Sequence, residues 1–140
     1  MILRHINLRK AFLAWLLIAF AETINGTIRE LFITPVIGQR PAHQLGFFIA
    51  ITLILFIAWL TAPWIKAETF KSQLAVGLVW LILMLIFEFG LGYILGFSWE
   101  YLLADYNLAR GGLMSFGLVI MLLAPAFGAW LRNTIATKSK

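Results

Sequence analysis

Four apolar stretches, separated by short polar segments, dominate the pattern of this chain. They lie at about residues 11–33, 45–65, 74–95 and 113–131. A helix needs about 20 apolar residues to cross roughly 30 Å of hydrocarbon. Backbone groups in lipid must be hydrogen-bonded within their own segment, which favours helices over strands. The pattern therefore predicts an all-α, polytopic membrane protein, a four-transmembrane-helix bundle. We place its helices at about residues 10–32, 45–65, 72–96 and 112–131.

Composition supports a membrane protein over a soluble one. Of the 140 residues, 62% are hydrophobic and 12% are charged, whereas soluble domains carry roughly 25% charged residues. A small soluble domain has too little interior to hide so much apolar surface, and lipid removes that conflict. We expect a single membrane domain over residues 1–140. The absence of cysteine excludes disulfides and thiolate metal sites.

The first apolar stretch has two interpretations. Basic residues precede a short apolar run that ends in Ala-Phe-Ala at 19–21, which is the form of a secretory signal with a cleavage site. The apolar pattern also continues to Ile33, and a helix over residues 7–32 would be about 39 Å long, enough to span a bilayer. We expect a retained helix.

The distribution of Lys and Arg predicts orientation. The amino-terminal flank, the second loop and the carboxyl-terminal tail share one side and hold three, two and three basic residues. The opposite side holds three in total, Arg29, Arg40 and Arg110. Short cytoplasmic flanks of membrane helices are enriched in Lys and Arg, so both termini are predicted to be cytoplasmic. Basic residues confined to such flanks do not form a patch for phosphates, so no nucleic-acid partner is expected.

The loops predict how the helices are joined. The loop from Lys66 to Lys71 is short, so helices two and three should form an antiparallel hairpin. The outer connections, at about 34–44 and 96–112, are long. Residues 97–110 have apolar residues at helical spacing, which predicts a short interfacial helix between helices three and four.

A few polar residues interrupt the predicted spans. Glu22, Asn25 and Arg29 share one face of helix one, and Glu88 lies in helix three. At 1.5 Å per residue, Glu22, Arg29 and Glu88 lie about 18, 28 and 24 Å above the inner boundary, in the outer half. The inner half of the bundle is almost wholly apolar. An ionisable residue inside a span is costly and therefore indicates a function or a specific partner.

These residues predict an outer-facing polar pocket, formed by Glu22, Asn25, Arg29 and Glu88. We expect Arg29 to pair with Glu88 or Glu22, because an unpaired carboxylate in lipid would take up a proton. Segment 97–110 would roof the pocket. Its polar and aromatic roof residues are Trp99, Glu100, Asp105, Asn107 and Arg110. The alternatives are a ligand or ion site, a buried ion pair that only fixes helices one and three in register, and a catalytic site.

Several segments together resemble a known group. They are Glu22-Thr23-Ile24-Asn25-Gly26-Thr27-Ile28-Arg29-Glu30, Phe87-Glu88-Phe89, Ser98-Trp99-Glu100, Asp105-Tyr106-Asn107 with Gly111, and Ala124-Pro125. With them the chain resembles a group of small, uncharacterised four-helix bacterial inner-membrane proteins. The resemblance covers most of the chain and implies a bacterial inner membrane with periplasm on the outer side. It implies no activity, substrate or catalytic residue.

Three classes of function remain open. The first is binding or transport of an ion or amphiphile in the outer pocket, with self-association to a homo-oligomer. The second is a non-catalytic accessory subunit of a larger membrane complex. The third is an interfacial enzyme that acts on lipid head groups, with Glu100, Asp105 or Glu88 as acid or base. No catalytic constellation is evident, and no metal or cofactor is expected, since His5 and His43 lie on opposite sides of the membrane.

Overall fold

The computed structural model describes residues 7–96, 98–104 and 114–138, and the secondary structure of these residues is helical. Four of the described helical stretches are long and apolar enough to cross a membrane, as predicted. The helices are α1 (Leu8–Ile28), α2 (Thr34–Ile37), α3 (Gln39–Ile65), α4 (Phe70–Ile94), α5 (Trp99–Ala104) and α6 (Met114–Lys138). The all-α class is confirmed.

The bundle exposes most of its apolar surface. In each of the four spans, only 22–28% of the most apolar window is buried. Large side chains such as Phe20, Phe48 and Ile86 are about two-thirds exposed. A surface of this kind needs an apolar solvent, since soluble monomers rarely expose large contiguous apolar patches. These features suggest a multi-pass membrane protein.

The four long helices form a square in which each has two neighbours. α1 packs on α3 and α4, and α6 packs on the same two helices, while α3 and α4 make at most marginal contact with each other. The predicted hairpin of the second and third spans is therefore wrong as a packing unit. Residues 66–69 join the two helices, but α1 and α6 lie between them. We call the end of the square that holds these residues the lower end, and the end at Gly38 the upper end.

Two glycines bring α6 close to both partners. A Cβ at Gly77 of α4 would overlap the backbone carbonyl of Leu122 in α6. A Cβ at Gly128 of α6 would lie 2.7 Å from the carbonyl carbon and oxygen of Ala58 in α3. Small residues let membrane helices approach until their backbones touch, which maximises van der Waals contact. α6 therefore packs against the faces of α3 and α4 that would have met in a hairpin.

Trp80 connects α4 with α1 in the core. Its side chain is fully buried, and its indole Nε1–H donates a hydrogen bond of 2.9 Å to the carbonyl oxygen of Ala11. One and two turns away, Trp15 of α1 packs edge-on against Phe87 of α4, with ring centroids 5.9 Å apart. These contacts fix the face that α1 turns toward α4.

The first span is longer than predicted and changes from an α-helix to a π-helical turn near the upper end. α1 passes through a π-helical turn over Arg29–Ile33 into α2, which ends at Ile37 rather than near residue 32. Pro35 has no N–H to donate, and its ring would clash with the carbonyl of Leu31 in a regular helix. A π turn, which is wider by about one residue, accommodates such a site.

The predicted long connection at 34–44 is almost entirely helical. Gly38, with a φ of +89°, is the break between α2 and α3. α3 begins at Gln39, six residues before the predicted start. Pro41 is compatible with this because the first turn of a helix has no internal acceptors for its N–H groups.

The third and fourth spans also differ from the predicted bounds. α4 covers Phe70–Ile94 and starts with a capping box in which Thr69 and Ser72 exchange side-chain and backbone hydrogen bonds. α6 extends to Lys138, seven residues beyond the predicted end. Polar residues do not end a helix that continues beyond the hydrocarbon, so the length of the apolar run underestimates the length of the helix. A six-residue helix, α5, forms in the predicted roof segment.

Candidate functional site

Glu22 lies at the centre of the candidate site near the upper end. Its side chain is half-buried, and its Oε1 atom is buried with no hydrogen-bond partner among the described residues. Asn25, Glu88 and Arg29 are all near enough to interact with its carboxylate. The structure therefore brings the four predicted pocket residues into one neighbourhood.

The helical register explains where Glu22 lies. It follows Trp15 by seven residues, so the two side chains share one face of α1, two turns apart. Trp15 contacts Phe87 of α4, and the next residue of α4 is Glu88. Glu22 thus occupies the seam between α1 and α4 above the aromatic contact.

Asn25 joins the site to α3. Its Nδ2 group donates a hydrogen bond of 3.2 Å to the carbonyl oxygen of Gly46. The neighbouring hydroxyls of Thr23 and Thr27 instead donate to carbonyls of their own helix, each at 2.8 Å. Of the polar side chains in this part of α1, Glu22 and Asn25 are therefore the ones directed between helices.

Arg29 is placed differently from the prediction. Its Nε donates to Glu30 Oε1 at 3.3 Å, and the structure pairs it with neither Glu22 nor Glu88. Its aliphatic stem lies on α3, where a Cβ at Gly46 would come within 2.8 Å of Arg29 Cδ. The predicted pairing of Arg29 with Glu88 or Glu22 is not a salt bridge among the described residues, although Arg29 still interacts electrostatically with Glu22. Arg29 is thus paired with a residue outside the predicted pocket.

Glu88 is exposed on the surface of the bundle. This corrects the expectation of a buried side chain, although Glu88 remains within electrostatic reach of Glu22. Glu88 thus lies on the exposed side of the upper α1–α4 seam, and Glu22 lies on its half-buried side. A ligand could approach Glu22 from the membrane side.

Part of the predicted roof is described. Trp99 is 64% exposed, and its ring lies 5.9 Å from the ring of Phe89, next to Glu88. Glu100 is exposed in the first turn of α5. Asp105, Asn107 and Arg110 lie outside the described residues. The aromatic pair places the start of α5 beside the open side of the seam.

The chemistry of this site is that of a hydrogen-bond acceptor. Among the described residues, no group of three or more His, Cys, Asp or Glu could hold a metal ion. Glu22 and Glu88 supply carboxyl oxygens, and Asn25 adds an amide. Such a set suits a cation that donates hydrogen bonds.

Sequence reasoning missed two features. Gly46 positions both Asn25 and Arg29, and it shows no signal beyond being a glycine within an apolar run. The second feature is a groove at the lower end, which is lined by Gln73, Arg132 and Asn133, among others. Those residues lie near helix ends, where the sequence pattern resembles ordinary flanks.

No protein-family model, curated protein or solved structure matches this chain with significance. Its function is therefore inferred from the arrangement of its own residues.

Proposed function

We propose that this chain is a multi-pass protein of the bacterial cytoplasmic membrane that binds a cationic amphiphile at its upper end. Glu22 accepts hydrogen bonds from the ligand's ammonium group, Glu88 adds negative charge at the entrance, and Asn25 holds α1 against α3 beside the site. The apolar tail of the ligand stays in the lipid.

The observation that carries this proposal is the buried Glu22 Oε1, which has no hydrogen-bond partner among the described residues. Buried polar atoms in native proteins are nearly always hydrogen-bonded. Leaving such an atom without a partner in apolar surroundings costs several kcal/mol. A ligand that supplies an N–H donor would remove that cost.

Charge and access favour an ammonium amphiphile over other ligands. An anion would meet the carboxyl groups of Glu22 and Glu88, and among the described residues the guanidinium nearest to them, that of Arg29, is paired with Glu30. Glu88 is exposed at the side of the bundle, so a molecule already dissolved in the bilayer can reach the seam without passing through water. The Trp99–Phe89 pair offers an apolar surface beside that entrance.

The binding test uses thermal unfolding of the protein in a neutral detergent. Dodecylammonium should raise the unfolding temperature, because a ligand that binds the folded state at 100 times its Kd adds about 2.7 kcal/mol. The stabilisation should be absent in Glu22→Gln, which keeps the shape of the side chain and removes its charge. Glu68→Gln, at the opposite end of the bundle, should retain it.

Dodecanol is the control for binding through the apolar tail alone. It has the same chain without the charge and should not stabilise the wild type. Equal stabilisation by dodecanol and dodecylammonium, or an unchanged response in a folded Glu22→Gln protein, would contradict the proposal.

The orientation of the proposed protein follows from its basic residues. The sequence segments that flank the lower end contain eight Lys and Arg residues, against three in those that flank the upper end, which favours a cytoplasmic position for the lower end and both termini. The pocket then faces the periplasmic leaflet, with α5 lying in its interface.

Single cysteines can test this orientation, because the chain contains none. Val36 is 78% exposed at the upper end, and Glu68 is exposed in the lower loop. A membrane-impermeant maleimide should label Val36→Cys in intact spheroplasts and Glu68→Cys after lysis. The reverse pattern would place the termini outside.

A further inference from the structure

We propose that the lower end carries a second binding site, for the phosphate group of a membrane phospholipid. A groove of about 630 Å³ opens there between the lower parts of α3, α4 and α6. Its charged and polar lining includes Lys66, Glu68, Gln73, Arg132 and Asn133. Basic pockets between membrane helices at the cytoplasmic side are suited to anionic lipid head groups.

Arg132 is held in a fixed position within the groove. Its Nε donates a hydrogen bond of 2.8 Å to the carbonyl oxygen of Trp59, and its guanidinium carbon lies 4.1 Å from the centroid of the Trp59 ring. A guanidinium carries five N–H donors, so this bond uses one and leaves four on the terminal nitrogens. A stacked guanidinium with its donors preorganised is well suited to grip two oxygens of a phosphate.

Lys66 supplies a second cation from the end of α3. It has a left-handed backbone, with φ of +57°, and its N–H closes the helix on the carbonyl of Ala62. The turn that follows is fixed by Gln73, whose Nε2 donates to the carbonyl oxygen of Ala67 at 3.0 Å. Gln73 is buried although it is polar, so this wall of the groove is shaped before any ligand arrives.

The rest of the lining favours a lipid over a soluble phosphate. Apolar residues, among them Ala62, Pro63, Ala129 and Ile135, share the groove with the cations. The apolar run of α6 ends at Leu131, next to Arg132, and Lys10 lies 5.5 Å from the ring of Trp64 at the same end. Cations and tryptophans at the end of a span mark the head-group level of a bilayer. A phosphate there would have its glycerol and acyl chains beside the apolar walls.

Glu68 makes the charge requirement testable. Its carboxylate also lines the groove and opposes an anion, so the charged lining is Lys66 and Arg132 against Glu68. Removal of Glu68 should tighten binding, and removal of either cation should weaken it. A groove filled through apolar contact alone would respond to none of these changes.

The experiment is native mass spectrometry of the detergent-solubilised protein with added lipid. Phosphatidylglycerol should bind, and diacylglycerol with the same acyl chains, which lacks the phosphate, should not. Inorganic phosphate at the same concentration should neither bind detectably nor displace the lipid. Equal retention of diacylglycerol, or full competition by inorganic phosphate, would overturn the proposal.

Variants of the lining residues test whether the lipid binds in this groove. Arg132→Gln and Lys66→Gln should each weaken phosphatidylglycerol binding by about tenfold, in line with the loss of one charge-assisted interaction. Glu68→Gln should strengthen it severalfold, and Arg40→Gln, at the upper end, should leave it unchanged. Lys66 is exposed, so its variant remains informative even if Arg132→Gln loosens the packing around Trp59. Wild-type binding in Lys66→Gln and Glu68→Gln would refute a charged site.

Discussion

Gly77→Ala is expected to unfold the bundle or to destabilise it by about 3 kcal/mol, at the upper end of the usual cost of overpacking. The added methyl group would overlap the carbonyl of Leu122, which is backbone and cannot rotate away. To relieve the clash, α4 and α6 must separate along the seam that they share. Thermal unfolding in detergent should show a loss of about 10 °C, at a few degrees per kcal/mol.

Gly90→Ala is the matched control for that change. Gly90 lies in the same helix, and a Cβ there would meet nothing within 4 Å. Replacing a glycine inside a helix by alanine gains about 0.5–1 kcal/mol of helix propensity where space allows. A Gly77→Ala protein as stable as Gly90→Ala would show that α4 and α6 are further apart than described.

Trp80→Ala is expected to cost about 3–5 kcal/mol, the range for large-to-small changes at aromatic core positions. Trp80 is fully buried and donates a hydrogen bond to the Ala11 carbonyl, so the change leaves a cavity between α1 and α4. Folded yield and unfolding temperature in detergent should both fall.

Two variants separate the cavity from the hydrogen bond. Trp80→Phe keeps most of the ring and removes the N–H donor, so it should cost about 1 kcal/mol. Trp130→Ala truncates a tryptophan that is 60% exposed and should change stability little. If Trp80→Ala were no worse than Trp130→Ala, Trp80 would not be the core residue that joins these helices.

The sequence predicts the number of long helices well because hydropathy and length are local properties. It does not predict which helices touch, since a uniformly apolar segment such as α4 offers little information about which face is inward. Contacts of Gly77 and Gly128 with backbone decide the neighbours of α6. A glycine in an apolar run does not reveal its partner, so the short loop after Ile65 suggested a hairpin that does not pack.

The candidate site was likewise predictable only in part. The common face of Glu22, Asn25 and Arg29 follows from helical periodicity, and the structure places these residues near Glu88. The partner of Arg29 did not follow from the sequence, because it depends on the π turn and on the space above Gly46. The groove around Arg132 was missed because its residues are separated along the chain and converge only when α3, α4 and α6 assemble.

The square arrangement of the spans has a consequence for biogenesis. α1, α3 and α4 precede α6 in the chain, and in the bundle they form a V with α1 at its apex. α6 packs between the two arms of this V and contacts both of them. If the helices enter the bilayer in chain order, Gly77 and Ala58 face lipid until α6 is inserted, and the closest helix contacts among the described residues then form after the others.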